Sequence, residues 1–166
     1  MESPLRSAMT DDDHLYRRGV GIMLLNRGGK VFVAARIDND ADAWQMPQGG
    51  LDEGEAAWDG ALRELAEETG ILPHKVEQIA CSPHLHRYRL PDELIGKIWR
   101  GSNWVGQAQV WFLCRFLGTD DDINLDTEHP EFRAYRWVEP EQLPELIVPF
   151  KRALYREVLD AFAEWL

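Results

Sequence analysis

Apolar and polar residues follow one another along the chain in short runs, most of them typical of strands that end at turns. Residues 20–25 are a continuous apolar run, Gly28 and Gly29 suit a hairpin turn, and residues 31–35 are expected to form the returning strand. Further strands are predicted at residues 76–81, 86–90, 109–117 and 132–138. The run "QVWFLCRFL" (109–117) is the most strand-like, because β-branched and aromatic residues dominate it.

Helical periodicity marks two other regions. In residues 55–69, Ala61, Leu62, Leu65 and Thr69 recur on one helical face and are expected to meet a core, with the glutamates on the opposite side. Gly70 is expected to stop this helix. A helical turn is predicted at residues 141–146 and an amphipathic helix at 149–166. Strands with separated helices predict an α+β fold in which helices cover a mixed sheet.

Three carboxylates within the first helix are the strongest chemical signal. Glu64, Glu67 and Glu68 stand three and four residues apart, so a helix brings them to one face. Without a partner they would repel one another, whereas a divalent cation among their oxygens makes the cluster favourable. Mg²⁺ is bound by a few carboxylates together with substrate phosphates. A solvated acidic helix is the usual alternative for such spacing taken alone.

The segment in front of the helix adds to this signal. Gly49 and Gly50 supply backbone that can approach a ligand closely. Arg63 is expected to hold the loop through a bidentate contact with Glu55, eight residues earlier, and both are therefore assigned structural roles.

The whole array, "GGLDEGEAAWDGALRELAEETGI" from residue 49 to 71, resembles the signature of the Nudix hydrolases at every specified position. The segments "YRRGVGI", "WQMPQGG", "WVGQAQVWFL", "PEFRAYRWV" and "PFKRALYREVL" are similar, in the same order, to one bacterial and plant branch of that family. The branch contains dinucleoside polyphosphate hydrolases and RNA pyrophosphohydrolases.

The resemblance carries expectations about fold, metal and residues. It implies a Nudix-type α/β/α sandwich and Mg²⁺ as the cofactor, with Mn²⁺ as a substitute. Besides Glu64, Glu67 and Glu68 it implies the Gly49 carbonyl as a metal ligand, and Glu131 as a ligand or general base. From sequence alone Glu131 would count as a surface residue. Arg17 and Arg36 match branch positions that meet phosphate.

Other candidates rest on residue chemistry. Lys151 is a point charge suited to phosphate, whereas Arg152 is better explained as a solvated residue. Phe150 either stacks a purine or belongs to the core, and the two interpretations carry equal weight. Gln48 and Gln109 can hydrogen-bond a base or a phosphate oxygen.

Composition limits what the chain can be. Its 166 residues suit one domain, expected at 13–166 behind a flexible tail at 1–12. A net charge of −11 does not suit a general nucleic-acid binder, so no DNA partner is expected and any RNA contact must be local. Cys81 and Cys114 are expected to be buried and reduced. No apolar run or leader pattern indicates a membrane or secretion, so a cytoplasmic protein is expected.

The carboxylate cluster predicts metal-dependent phosphate chemistry. The resemblance implies a Mg²⁺-dependent pyrophosphohydrolase that acts on dinucleoside polyphosphates such as diadenosine tetraphosphate, on the 5′ triphosphate end of RNA, or on both. Two rivals stay open: a Nudix hydrolase of nucleotide sugars or nucleoside triphosphates, and a non-catalytic module that binds RNA ends or nucleotides. The pair His84 and His86 suggests zinc only weakly, because no further ligands stand at zinc spacing.

Overall fold

Seven strands and three α-helices are found in residues 13–39 and 42–166, the part of the chain that the structure, a computed structural model, describes. The strands are β1 (Tyr16–Leu25), β2 (Val31–Arg36), β3 (Gln48–Gly50), β4 (Val76–Cys81), β5 (His86–Arg89), β6 (Gly106–Phe116) and β7 (Phe132–Val138). The helices are α1 (Ala57–Thr69), α2 (Leu143–Leu146) and α3 (Arg152–Ala161).

All seven strands belong to one mixed sheet. Its main path is β4-β6-β1-β2-β7, while β3 pairs with β1 and β5 pairs with β6. β1 and β6 run parallel, from Tyr16 opposite Gly106 to Leu25 opposite Arg115, and the other pairs are antiparallel. Both central strands are buried over most of their length. Their continuous apolar runs follow from this, because each strand is covered on both faces.

Side chains of alternate residues in the central strands point to opposite faces of the sheet and pack into two separate hydrophobic cores. Trp111 and Leu113 pack on the face that α3 covers, together with Tyr155. Phe112 packs with Leu65 of α1 on the other face. The period of two along β6 therefore places one apolar set under each helix layer. The predicted α/β/α sandwich is confirmed.

Most predicted elements are present, with shifted ends. The hairpin between β1 and β2 turns through Gly29, whose φ of 77° is left-handed and suits glycine. The last helix is shorter than predicted: α3 ends at Ala161, and a 3₁₀ turn, Ala163–Trp165, follows. Cys114 is buried as expected, whereas Cys81 is exposed, which corrects its predicted burial; both thiols are free. The predicted tail at 1–12 lies outside the described residues.

Helix α1 differs from its prediction in one consequential way. It ends at Gly70, whose φ is 75° and whose N–H donates to the Ala66 carbonyl, as the sequence indicated. Glu68, however, is only 1% exposed. Its face of the helix lies against β1 and β3 instead of solvent, so the expectation that the glutamates all face away from the core is wrong. In the described part of the chain, no helix combines the length and apolar character needed to cross a bilayer.

Candidate active site

A cleft of about 790 Å³ opens where β3, the start of β1 and the start of α3 meet. Its volume lies within the usual range of small-molecule sites, about 300–1,000 Å³. Its walls are chemically divided: Arg17, Arg36 and Lys151 supply cations, and four residues supply carboxylates, namely Asp38, Glu64, Glu68 and Glu131. Aromatic and aliphatic side chains close the rest, among them Tyr88, Leu90, Leu94, Trp99 and Phe150.

Arg63 organises the loop between β3 and α1. Its Nε and Nη2 atoms donate to the two Glu55 oxygens, each at 2.8 Å, and Nη2 also donates to the Gly50 carbonyl at 2.9 Å. This is the expected bidentate contact. The Arg63 guanidinium lowers the pKa of Glu55 to about 2. The third nitrogen, Nη1, donates to Glu64 at 3.0 Å, so one side chain connects the loop to the carboxylates of the cleft.

Glu64 and Glu68, one helical turn apart, form the acidic centre of the cleft. Burial raises the pKa of Glu64, and repulsion from Glu67 and Glu131 adds to the effect while Arg63 opposes it. Burial raises the pKa of Glu68 far more, and Glu64 and Glu131 add repulsion. The Gln48 N–H donates to Glu68, but its Oε2 atom is buried without any hydrogen-bond partner. Such a pair is unfavourable as two anions and becomes favourable beside a cation.

Gly49 and Glu131 flank this pair. A side chain at Gly49 would overlap the Glu64 carboxylate, so only glycine lets this carboxylate lie against the strand. Glu131 comes just before β7, where its carbonyl accepts a hydrogen bond of 2.8 Å from the Ile37 N–H. Its side chain is exposed and contributes to the potential at Glu64, Glu68 and Arg36.

Glu67 departs from the predicted convergence. Its side chain is 59% exposed and pairs with Arg63 at 3.3 Å, and it does not line the cleft with Glu64 and Glu68. A metal-ligand role for Glu67 stays a prediction.

The site fits a divalent cation that also takes ligands from substrate. Within residues 13–39 and 42–166, no three acidic, histidine or cysteine side chains stand close enough to hold a metal by themselves. The Glu68 Oε2 atom without a partner and the close approach of Gly49 to Glu64 are the features that a cation among these oxygens would explain. Mg²⁺-type ions commonly take one or two carboxylates and complete their shell with water and phosphate.

Three cations face the carboxylates. Arg36 binds both Asp38 oxygens at 2.8 and 2.9 Å, and this contact raises its pKa, with smaller contributions from Glu131 and Glu68. Lys151 lies over the Tyr88 ring at 4.6 Å; burial, with repulsion from Arg36, lowers its pKa to about 8. Arg17 lies over two indole rings. By contrast, Arg152 donates to the Pro144 carbonyl at 3.1 Å and is absent from the cleft lining, in line with a non-functional role.

The two glutamines predicted to bind substrate differ in their access to the cleft. Gln48 lines the cleft, whereas Gln109 is fully buried behind it. The Gln109 amide donates to the Gln48 side chain at 2.8 Å and its oxygen accepts from Trp111 Nε1 at 2.8 Å. Direct contact of Gln109 with substrate stays a prediction that its burial disfavours. Its observed contact is with Gln48, whose backbone N–H donates to Glu68.

Phe150 satisfies parts of both interpretations. It is half-buried against the core, and its ring centroid lies 6.1 Å from that of Tyr88. The same residue lines the cleft. Tyr88 is a cleft residue that the sequence did not single out; burial raises its pKa to about 12, although Arg17 and Arg36 lower it. The period of two in β5 could have indicated Tyr88, because it shares a strand face with buried His86.

The two histidines do not form a zinc site. His84 is exposed, and His86 is buried with its Nδ1 atom 2.9 Å from Glu157 Oε1. Trp99 and the aliphatic residues near it in the cleft lining were also missed as site residues, because they lie in a segment without periodicity.

Fold and cleft together are typical of one class of protein, the hydrolases that act on phosphate groups with the help of a divalent metal. The family model described as "NUDIX domain" matches residues 15–158. The chain belongs to this family, and it is a Nudix hydrolase.

Curated relatives cover nearly the whole chain. The chain is 58% identical over 151 residues to an RNA pyrophosphohydrolase of Novosphingobium aromaticivorans, covering 90% of this chain and 93% of that protein. It is 56% identical over 155 residues to the one of Sphingopyxis alaskensis, covering 93% and 98%. A third, from Dinoroseobacter shibae, is 50% identical over 161 residues and covers 95% and 100%.

Solved structures support the fold. A C. elegans Ap4A hydrolase in a binary complex matches with a TM-score of 0.63 at 19% identity, covering 90% of this chain and 99% of that one. The E. coli dihydroneopterin triphosphate pyrophosphohydrolase matches with a TM-score of 0.62 at 19% identity, covering 89% and 99%. At such identities the likeness concerns the fold alone.

Proposed function

We propose that this chain is an RNA pyrophosphohydrolase, which uses Mg²⁺ and water to convert the 5′ triphosphate end of RNA into a 5′ monophosphate and pyrophosphate. Dinucleoside polyphosphates such as diadenosine tetraphosphate are proposed as substrates of the same site. The observation that carries the proposal is the division of one cleft into carboxylates, cations and an aromatic wall. The names of relatives at 50–58% identity support the choice of RNA.

Substrate binding is assigned to the cationic and aromatic walls. Arg17, Arg36 and Lys151 bind the phosphate chain, whose negative charge offsets their mutual repulsion. Phe150 stacks the first or second base, since stacking on an aromatic ring accepts any base. With so few contacts, the enzyme reads the end of the RNA and not its length. Gln48 donates its side-chain amide to a phosphate oxygen or to the base.

Metal binding is assigned to Glu64, Glu68 and the Gly49 carbonyl, with Glu67 as an additional ligand. A bound Mg²⁺ would lower the pKa of water and neutralise charge on the phosphate oxygens, and Mn²⁺ is expected to substitute. Glu131 accepts the proton of the attacking water, because its carboxylate is exposed at the edge of the cleft and has no hydrogen-bond or ion-pair partner among the described residues. Water adds to one phosphorus as a phosphoanhydride bond breaks, and pyrophosphate leaves.

The cytoplasm is the expected location, since bacterial relatives carry the RNA pyrophosphohydrolase name and primary transcripts are made there.

The test compares substrates and metals side by side. Purified protein is given short 5′-triphosphorylated RNA, diadenosine tetraphosphate, a nucleotide sugar or a nucleoside triphosphate, with Mg²⁺, with Mn²⁺ or with chelator. We expect metal-dependent pyrophosphate release from the RNA, with a higher kcat/KM than for the nucleotide sugar or the nucleoside triphosphate. Glu53→Gln serves as the control, because it removes an exposed loop carboxylate outside the cleft.

Each rival predicts a different pattern. Preference for the nucleotide sugar or the free triphosphate would replace our substrate with the first rival. Binding of RNA ends without release of pyrophosphate in any metal would favour the non-catalytic module. That second rival has to explain why a binding protein buries Glu68 with an oxygen that lacks a partner.

A further inference from the structure

A loop next to β6 brings Trp99 into the cleft lining and Trp104 into contact with Trp99 behind it. We call residues 94–104 the tryptophan loop. Trp99 lines the cleft and has a φ of 52°, the one positive value among non-glycine residues in the described chain. This backbone conformation is unfavourable for a bulky aromatic residue, so the surrounding structure must hold it. Gly96 and Gly101, each with a φ of 83°, make the turns on either side.

Hydrogen bonds fix the strained residue. The Trp99 carbonyl accepts from Ser102 Oγ at 2.7 Å and from the Ser102 N–H at 3.2 Å. The same Ser102 Oγ accepts a longer bond of 3.4 Å from the Trp104 N–H. Trp99 and Trp104 then meet edge to face, with ring centroids 6.1 Å apart and planes at 87°. The two indole rings are therefore perpendicular and form the two walls of a corner, which we call the indole corner.

The Arg17 guanidinium lies in the indole corner, near both rings. Its guanidinium carbon lies 5.6 Å from the Trp104 ring centroid and 6.0 Å from that of Trp99. On the strand side, a side chain at Gly50 would overlap the guanidinium, so Arg17 packs directly on backbone. Two rings and a glycine thus confine a long side chain that would otherwise sample many rotamers.

The contacts hold Arg17 without neutralising it. Among the described residues it has no carboxylate partner, whereas Arg36 is paired with both oxygens of Asp38. An aromatic face attracts a guanidinium through its quadrupole and leaves the full positive charge for another ligand. A carboxylate in the same place would compete with the substrate phosphates for the same donors.

We propose that Trp99 and Trp104 are positioning residues that aim the Arg17 guanidinium at the phosphate chain of the substrate. The inference rests on the proposed function, because it assumes that Arg17 binds phosphate. It adds the tryptophan loop to the site as the part that fixes where the phosphate chain lies relative to the metal ligands.

A double-mutant cycle tests the inference. Trp104→Leu removes one ring, and Trp99→Asn removes the other while keeping a residue type that tolerates positive φ. Each single variant is expected to lower kcat/KM on triphosphorylated RNA about tenfold, from loss of one cation–π contact in a partly desolvated site. In an Arg17→Ala background, the same substitutions are expected to change kcat/KM less than twofold.

Controls separate this role from general packing. Trp99→Phe and Trp104→Phe keep an aromatic face and should retain most of the activity. Trp165→Leu alters a half-exposed tryptophan next to Phe162, away from the cleft, and should leave kcat/KM unchanged. If Trp104→Leu does not fold, Trp99→Asn alone decides the result.

Two outcomes would overturn the inference while the proposed function stands. Undiminished effects in the Arg17→Ala background would mean that the indoles contact substrate or support the fold directly. Single variants with wild-type kcat/KM would mean that Arg17 is held by other contacts. If the wild type releases no pyrophosphate from RNA, the proposed function fails; the cycle is then measured as calorimetric affinity for inorganic tripolyphosphate with Mg²⁺, with the same expected coupling.

Discussion

Replacing Glu68 with glutamine should make the enzyme nearly inactive and its metal-free form more stable. The carboxylate is 1% exposed, one oxygen has no hydrogen-bond partner, and Glu64 and Glu131 repel it. A buried unsatisfied group costs about 1–3 kcal/mol, more when charged. Glutamine keeps the volume and removes the charge, so we expect a gain of about 1–2 kcal/mol in the free energy of unfolding. For a chain of this size that gain raises Tm by about 2–8 °C.

The stability of the metal-free protein should also depend on pH in a direction that the Glu68 pKa determines. Because the pKa of Glu68 is raised in the folded protein, its stabilising contribution is complete below the unfolded value of about 4.3 and is lost as pH rises through the folded value. Metal-free wild-type protein should therefore lose stability as pH rises above about 4.3. The Glu68→Gln variant should show a flatter profile, with some slope left from Glu64, whose pKa is also raised.

Without metal the Glu68→Gln variant should be more stable than the wild type, and with Mg²⁺ the wild type should be the more stable of the two. At a concentration one hundred times its Kd, a ligand that binds only the folded state adds about 2.7 kcal/mol. The wild type should gain this in thermal melts with Mg²⁺, and Glu68→Gln should gain far less, while turnover falls about 10²-fold or more. Glu67→Gln is the matched comparison. Turnover should fall, because Glu67 is a proposed metal ligand, but the metal-free Tm should not rise, because the Glu67 side chain is 59% exposed and its charge is already solvated. A Glu68→Gln enzyme that keeps wild-type turnover, or melts lower than wild type without metal at pH 8, would refute this reasoning.

Four further results are expected. Arg63→Ala should cost about 2–4 kcal/mol, because it leaves several carboxylates without their shared partner, and should also lower kcat; a normal Tm with only a KM defect would contradict the structural role. Phe150→Leu keeps apolar volume without a π face, so KM should rise about tenfold with kcat nearly intact, while Phe150→Ala should also lower Tm; if neither variant moves KM, the ring belongs only to the core. The Lys151 pKa of about 8 predicts that KM for the phosphate substrate rises as pH passes through about 8, and Lys151→Arg, which stays charged, should move that rise to higher pH; identical profiles would argue against a phosphate contact. Gly49→Ala should push the flexible Glu64 carboxylate aside, lowering turnover with little change in Tm, measured against Gly28→Ala in the exposed hairpin, where a Cβ meets nothing closer than 3.4 Å.

The acidic half of the candidate site could be predicted because it depends on short-range periodicity. Residues four apart on a helix must share a face, and Glu64 and Glu68 do so wherever the helix lies. The same holds for Arg63 and Glu55, whose contact needs only a helix and the loop in front of it. Glu131 could not be predicted in this way, because its position near Arg36 depends on the pairing of β2 with β7. Its candidate role came only from the resemblance to the family.

The rest depended on tertiary packing. That Glu68 is buried and Glu67 exposed follows from which side of α1 meets the sheet, and a pattern of three glutamates does not distinguish the two. Gln109 looks like a ligand in sequence, but the parallel pairing of β1 with β6 puts it beneath Gln48. Trp99 lies in a loop whose conformation is set by hydrogen bonds to Ser102 and not by any period.

The net charge of −11 acquires a physical meaning once the cleft is known. Three cations line the cleft with four carboxylates, so the cleft has no large positive charge before metal binds. A long RNA would be repelled by the acidic surface along most of its length, and the repulsion is screened beyond about 8–10 Å at ordinary salt. Only a group that brings dense negative charge and a divalent metal together into the cleft gains enough to overcome this repulsion. A triphosphate end does so and the interior of an RNA chain, with one charge per phosphate, does not. If the proposed function holds, the acidic composition, which argued against a general nucleic-acid binder, is therefore expected to restrict the enzyme to the end of the RNA.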